Sequence, residues 1–324
     1  MRSETPLPLP RFVEPAAPPP PRQRTGPGGR RRGRRPALPR GLRIAGLLAP
    51  ALLVIAVFFL AGVTQTVAQS FGYQPFLARW ELSWDAYRTL ATDPAVRASL
   101  LLTARIAIIP TVLAAGLGVS AALAIRRLGR SGTWVGGIVQ TTLAVPHLVA
   151  ALCMLVLLSQ GGFLSRLSGA AGFTASPAQF PALTGDDVGW GIIASYVWKE
   201  TAFLTVVALA ALGRGVQDLE NAARSLGATG WQRLVYITLP VIAPAVGSAS
   251  VLVFAFTAGS YEVPALLGRP YPAALPVVAL QYYRATDLTA RPVAMAVAVL
   301  ITVLSVVVVA VNMYVGGRLA RRAR

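Results

Sequence analysis

The sequence contains very few side chains that could carry out nucleophilic, acid–base or metal chemistry. It has a single histidine, His147, a single cysteine, Cys153, and a single lysine, Lys199. A protein zinc site draws on several Cys or His ligands, and a nucleophile needs a neighbouring base, so these isolated residues predict neither a metal site nor a catalytic site. We therefore predict that the chain is not an enzyme and binds no cofactor of its own.

The overall composition is that of a membrane protein. Of the 324 residues, 55% are hydrophobic and only 13% are charged, and the mean hydropathy is +0.59. A soluble domain has about 25% charged residues, so this chain lacks the polar side chains to cover a soluble particle. The net charge of +18 comes from arginines in the first 43 residues and at the ends of apolar segments, which argues against a nucleic-acid partner.

Six apolar segments are each close to the roughly 20 residues needed to cross a bilayer. They fall at about 44–67, 100–125, 134–158, 188–212, 240–260 and 292–315. The predicted fold is therefore an all-α integral membrane protein with six transmembrane helices. Residues 1–40, rich in Pro, Arg and Gly, are predicted to be a disordered cytoplasmic tail, either simply solvated or in contact with anionic membrane lipid; residues 41–324 form the transmembrane domain.

The arginines predict that both termini lie in the cytoplasm. With the N-terminus inside, 21 arginines fall on the inner side and seven on the outer side, where seven acidic residues balance them. This asymmetry follows the positive-inside rule, and an even number of helices returns the chain to the inside.

Four polar residues are candidates for a substrate pathway. A charge at the centre of a membrane helix costs about 2.5–3.5 kcal/mol on insertion scales, so Lys199 and Glu200 either line a pathway or are paired with other groups. As neighbours they point about 100° apart on a regular helix, so pairing with each other requires a local break. His147 follows Pro146 and is interpreted as a helix–helix contact, with a pathway role as the alternative. Glu262 is predicted at the outer mouth.

The loop at 213–239 is predicted to hold an amphipathic helix. Leu219, Ala222, Ala223 and Leu226 follow the i, i+3, i+4, i+7 spacing of a single helical face. Glu220 is expected in the first turn, where it precedes Arg224 by four residues and would pair with it. Because half of the stripe is alanine, it suits a protein groove better than a membrane surface.

Two further signals delimit this loop. Gly227 lies just beyond the stripe, where a left-handed C-cap favours glycine. Thr229 and Gln232 match a capping box that opens a second short helix. Pro240 is predicted to end that helix and to start the fifth membrane helix, and Pro244 to bend or break its first turns.

These residues resemble the EAA loop of permease subunits of bacterial type I ABC importers. The family pattern is Glu-Ala-Ala, three residues, Gly, nine residues and Ile-x-Leu-Pro; here it is matched by Asn221-Ala222-Ala223, Gly227 and Ile237-x-Leu239-Pro240. Asn221 departs from the usual Glu. Two looser similarities are Trp198–Phe203, where such permeases often have a polar break in the fourth helix, and Ser260–Gly268, which is similar to the polyamine, iron, sulfate and thiamine branch.

The resemblance implies a division of labour in the bacterial cytoplasmic (inner) membrane. Two permease subunits, identical or different, would form the pathway, an extracytoplasmic solute-binding protein would deliver the substrate, and separate ATPase subunits would bind ATP and dock on the EAA loop. The implied ATPase-coupling residues are Glu220, Asn221, Ala222, Ala223, Gly227, Ile237, Leu239 and Pro240. A Walker A motif needs Gly-Lys-Ser/Thr, whereas Lys199 is followed by Glu200, so ATP must be bound by a partner.

The main alternative from the sequence is a secondary transporter or channel. Such a protein would show inverted repeats with broken helices in both halves, but only the fourth helix of this sequence carries a predicted break.

Overall fold

The computed structural model describes residues 40–78 and 82–322, which form helices and the connections between them. Six helical segments are long and apolar enough to cross a membrane, which confirms the predicted number. They are Gly46–Ser70, Pro94–Arg127, His147–Ala170, Trp190–Ala211, Gly230–Gly259 and Leu288–Tyr314. The predicted tail at residues 1–40 lies outside the described residues except for Arg40, and its disorder stays a prediction.

The chain divides into two compact units, Met1–Val57 and Phe58–Arg324. The first helix, α1, runs from Arg40 to Ser70 and contains this boundary. All of the sites described below lie in the second unit. Its remaining helices are α2 (Asp85–Thr92), α3 (Pro94–Arg127), α4 (Arg130–Ala144), α5 (His147–Leu158), α6 (Phe163–Ala170), α7 (Trp190–Ala211), α8 (Arg214–Ser225), α9 (Gly230–Arg233), α10 (Leu239–Gly259), α11 (Glu262–Leu267), α12 (Leu275–Tyr283) and α13 (Arg291–Arg322).

Helices α3 and α7 pack side by side and form the centre of the second unit. At Gly118 an added β-carbon would lie 2.9 Å from the β-carbon of Leu204, so glycine is what lets the two helices approach so closely. The start of helix α7 is stabilised by Asp186. Its carboxylate accepts hydrogen bonds from the backbone N–H groups of Val188, Gly189 and Trp190 at 2.9–3.0 Å.

The third membrane helix predicted from the sequence is interrupted, and only its second part, α5, lies in the segment His147–Ala170. Below, the third span means α4 and α5 together. The sequence predicted one helix over 134–158, but α4 ends at Ala144 and α5 begins at His147. Pro146 separates them with the extended torsions φ −58° and ψ 145°, and proline has no N–H to continue the helical pattern. The break predicted within Trp198–Phe203 was wrong, because α7 is continuous through that segment.

The prediction that Pro240 separates the second short helix from the fifth membrane helix was also wrong. Helix α9 does not end before α10; a π-helical segment, Leu234–Thr238, joins them into one stretch from Gly230 to Gly259. Pro240 and Pro244 both lie within this stretch, and neither breaks it. Leu239 N–H donates to Leu234 O, which is the five-residue spacing of a π turn.

The outer segments contain short helices that the sequence did not predict. The apolar piece at 274–280, most of which lies in α12, is too short to cross a bilayer and on that ground is expected at the membrane interface. Instead, Leu275 at its start is buried with Val96 of α3 and Val297 of α13. Its backbone N–H donates to the Thr103 hydroxyl at 2.8 Å, so this end of α12 is fixed inside the protein.

Candidate coupling surface and membrane cavity

Helix α8 lies at the centre of the predicted loop and begins at Arg214. Glu220 is therefore in its second turn, and the prediction that it lies in the first turn was wrong. Two residues one turn apart, Val216 and Glu220, form its buried face. Val216 packs in an apolar cluster with Ala122 of α3, Leu212 and Ile242 of α10. Only Leu212 and Gly213 separate α7 from α8, so α8 is attached directly to the end of a membrane helix.

Glu220 is held by groups from two other elements. Its carboxylate is ion-paired with Arg126 at the cytoplasmic end of α3 and accepts a hydrogen bond from the Thr238 hydroxyl in the π segment. Burial alone raises the pKa of Glu220, but the hydrogen bonds from Thr238 and Arg126 and the charges of Arg126 and Arg233 outweigh it, so the pKa lies below its usual value. The predicted pair with Arg224 is wrong, because the carboxylate is directed into the protein.

Three of the four residues of the predicted apolar stripe, all but Ala223, are exposed on the side of α8 away from Glu220. Leu219 is 52% exposed and Leu226 88% exposed, and Ala222 between them is also exposed. Ala223 is half-buried because it lies closer to the Val216–Glu220 face, and Asn221 is exposed outside the stripe. The helix therefore presents leucine side chains outward while its other face holds it to the protein.

Gly227 ends α8 in the predicted manner. Its φ is +84°, and a Schellman motif closes the helix: Gly227 N–H donates to Arg224 O and Ala228 N–H to Ala223 O, both at 3.0 Å. A β-carbon at Gly227 would meet nothing within 4 Å. The requirement for glycine is therefore one of backbone conformation, not of space.

The second half of the loop starts with the predicted capping box. Thr229 N–H donates to the Gln232 side chain at 2.8 Å, and Gln232 N–H donates to the Thr229 hydroxyl at 3.3 Å. Ile237 lies half-buried in the π segment. Leu239 and Pro240 are exposed at the start of α10, so the last two residues of the EAA pattern lie on the protein surface.

A cavity of about 290 Å³ lies where α7 and α10 meet the break in the third span. Its lining includes three of the four predicted pathway residues, His147, Lys199 and Glu200, together with two aromatic rings, Phe203 and Phe256. The fourth, Glu262, is not among the lining residues; it is exposed at the first residue of α11.

Lys199 and Glu200 bind opposite sides of the break. The Lys199 ammonium donates to the carbonyl oxygens of Thr142 at 2.7 Å and Val145 at 2.6 Å, at the end of α4. The Glu200 carboxylate lies 3.2 Å from Nε2 of His147, the first residue of α5. The two neighbours therefore do not need a break in their own helix, because their partners lie on either side of a break in another.

Sequence reasoning missed two parts of these sites. Arg126 was counted only as a basic residue of the inner side, since nothing local relates it to Glu220. The break at Pro146 had a local signal, the proline itself, but the adjacent Lys199-Glu200 pair drew the prediction to the fourth helix.

Residues 114–321 match the protein family described as the binding-protein-dependent transport system inner membrane component. The chain belongs to this family. It is a permease subunit of a binding-protein-dependent ABC importer, a multi-pass protein of the bacterial inner membrane, and ATP is bound by a separate ATPase. This assignment excludes the secondary transporter or channel.

The permease is similar to several named permeases and solved structures. It is 26% identical over 251 residues to the putative 2-aminoethylphosphonate transport system permease protein PhnV of Salmonella paratyphi A, covering 74% of this chain and 82% of that one. It is 30% identical over 164 residues to the trehalose transport system permease protein SugA of Mycobacterium tuberculosis, about half of each chain (49% and 50%). A crystal structure of a bacterial ABC transporter involved in the import of the acidic polysaccharide alginate shares the fold. Its TM-score is 0.72 at 20% identity, and the match covers 86% of this chain and 96% of that one.

Proposed function

We propose that α8 couples the permease to ATP hydrolysis. Its exposed residues Leu219, Ala222 and Leu226 dock in a groove of the ATPase subunit. The observation that carries this proposal is the division of α8 into two faces. One face is fixed by Val216 and Glu220, and the other exposes two leucines. Covering these exposed leucines with a partner surface is favourable, because it removes apolar side chains from water.

The motif residues divide into two roles under this proposal. The docking surface and its rim contain Asn221, Ala222, Ala223, Leu239 and Pro240. The other motif residues do not touch the partner but set the position and the end of α8; they are Glu220, Gly227 and Ile237. The departure from the family pattern at Asn221 then changes the rim of the contact and leaves the anchor unaffected.

The complete importer contains more than this chain. A second permease subunit, either a second copy or a different chain, shares the pathway within the membrane lipid, and the solute-binding protein delivers substrate from the outer side. The family match supports the binding protein, since dependence on it is part of the family description. No nucleic acid takes part.

The substrate is proposed to be a small charged solute. The resemblance of Ser260–Gly268 to the polyamine, iron, sulfate and thiamine branch supports a polyamine, a metal-ion complex or a small anion. Similarity to an aminoethylphosphonate permease is consistent with this class, whereas the shorter match to a trehalose permease gives the competing class of neutral sugar. A panel of these solutes tested for binding to the partner solute-binding protein separates the classes.

The docking role can be tested with two variants that each add one negative charge to an exposed side of α8. Leu226→Glu places the charge in the stripe, and Gln217→Glu places it on the opposite side of the helix. We expect both variants to reach the membrane at normal abundance and only Leu226→Glu to lose co-purification of the ATPase. Equal retention of the ATPase by both variants would show that the stripe is not the contact.

A further inference from the structure

The break between α4 and α5 leaves polar backbone groups inside the third membrane segment predicted from the sequence, residues 134–158. Helix α4 stops at Ala144, and the two following residues are extended before α5 begins. Carbonyl groups at a helix end have no partner within the helix, and irregular backbone at membrane depth persists only where the protein satisfies it. At this break the ammonium of Lys199, a residue that is only 3% exposed, donates to the carbonyls of Thr142 and Val145. The Thr142 carbonyl also accepts from the Val145 N–H at 3.3 Å.

The Lys199 ammonium is suited to this role by both charge and reach. The last carbonyls of α4 carry the negative end of the helix dipole, which favours a cation beside them. Glu200, 6% exposed, lies next to it in sequence and contacts His147 at the start of α5. Helix α7 therefore holds the end of α4 with one side chain and the start of α5 with the next.

The same helix carries the coupling element at its cytoplasmic end. Helix α7 continues into α8 after two residues, and Leu212 and Val216 bury this junction in one apolar cluster. Because only two residues connect the helices, we expect a displacement of α8 to move the end of α7. Near its middle α7 meets the two halves of the third span, beside the cavity that contains Phe203 and Phe256.

We infer that Lys199 and Glu200 are positioning residues for transport: they hold the two halves of the third span at the break, so that movement of α8 and α7 changes the angle between α4 and α5 and with it the cavity. This inference rests on the proposed coupling role of α8. It assigns to the pair a mechanical role in place of direct contact with substrate.

The test measures the distance between the two half-helices in the assembled transporter, with and without Mg-ATP. One spin label is attached to the native Cys153 on α5 and the other to Trp134→Cys on α4; both native side chains are exposed. We expect a label distance that changes with ATP when Lys199 is present. In Lys199→Met the ATP-dependent change is expected to be lost while the ATPase still co-purifies, and in Lys199→Arg it is expected to be retained.

Two further variants keep the test decisive if Lys199→Met fails to accumulate. Pro146→Ala restores a backbone N–H four residues after Thr142, so the double variant Lys199→Met/Pro146→Ala can close the break into a regular helix. Its labels, 19 positions apart, are expected at the roughly 28 Å separation of an uninterrupted helix, with no response to ATP. Thr205→Val is the control, since it removes a buried hydroxyl of α7 whose bond at 2.7 Å is to Thr201 of the same helix.

The outcomes separate this inference from the proposed function. An ATP-dependent change that survives in Lys199→Met or in the double variant overturns the positioning role, as does loss of both variants from the membrane while Thr205→Val accumulates. If Leu226→Glu retains the ATPase but Lys199→Met still alters the resting label distance, the docking surface is wrong and the holding of the break by Lys199 stands.

Discussion

Arg126 and Glu220 form a largely buried ion pair that ties the cytoplasmic end of α3 to α8, across 94 positions of sequence. The Thr238 hydroxyl completes the contact from the π segment. Three separate elements therefore meet at one carboxylate on the inner side of α8, and this contact fixes the direction in which the exposed leucines point.

Removing Arg126 should release α8. In Arg126→Met the Glu220 carboxylate stays buried without its ion partner, and breaking a buried pair in this way costs about 3–5 kcal/mol. We expect normal insertion, because the membrane helices are intact, but at least a tenfold loss of ATP turnover by the assembled transporter. The double variant Arg126→Met/Glu220→Gln removes the stranded charge and should recover part of the activity; no recovery would mean that the pair does not act as a unit.

The anchor should be insensitive to pH throughout the neutral range. Because the folded-state pKa of Glu220 is lowered, its contribution to stability is fully present above the ordinary glutamate pKa of about 4.3 and is lost as the pH falls through the lower folded value. ATPase co-purification measured from pH 8 down to pH 5 should therefore show no step that disappears in Glu220→Gln. Such a step within this interval would contradict the lowered pKa.

Gly227→Val should weaken coupling without reducing the amount of protein in the membrane. The left-handed conformation costs a residue with a β-carbon about 1–2 kcal/mol, and a β-branched one more, while the open space around Gly227 means that no clash is added. Gly215→Ala is a matched control, since Gly215 is also in open space but within α8. We expect ATPase co-purification to fall in Gly227→Val and to stay normal in the control.

Ala223→Glu should impair coupling and Asn221→Glu should not, although each adds one carboxylate to α8. Ala223 is half-buried next to the face that holds Glu220, so a charge there competes for Arg126 and disturbs docking. Asn221 is exposed outside the stripe, and glutamate restores the family pattern. Substrate-stimulated ATP hydrolysis should be lost only in Ala223→Glu; an equal loss in Asn221→Glu would extend the contact beyond the stripe.

Both termini should report a cytoplasmic location. The prediction rests on the 21 arginines of the inner side against seven outside, together with an even number of spans. Reporter fusions at residue 1 and residue 324 measure it directly. An external signal at either end would contradict the six-span topology with both ends inside.

The sequence by itself determined the number of membrane spans and the local chemistry of the coupling loop. A run of about 20 apolar residues must be buried in a bilayer wherever it lies, and the C-cap at Gly227 and the capping box at Thr229 depend on residues within a few positions of each other. For the same reason the spacing of Leu219, Ala222, Ala223 and Leu226 was enough to predict one face of a helix, although Ala223 is half-buried.

Only the tertiary structure decided which spans and charges belong together. Arg126 and Glu220 are brought together by the packing of α3 against α7 and of α8 beneath them, and no local pattern encodes that pairing. The sequence suggested that Lys199 marks a break in its own helix. In the structure its ammonium donates to the carbonyls of Thr142 and Val145, beside the break at Pro146 between two other helices. A buried charge is stable only beside a partner, and the helix that supplies the partner is chosen by packing between segments far apart in sequence.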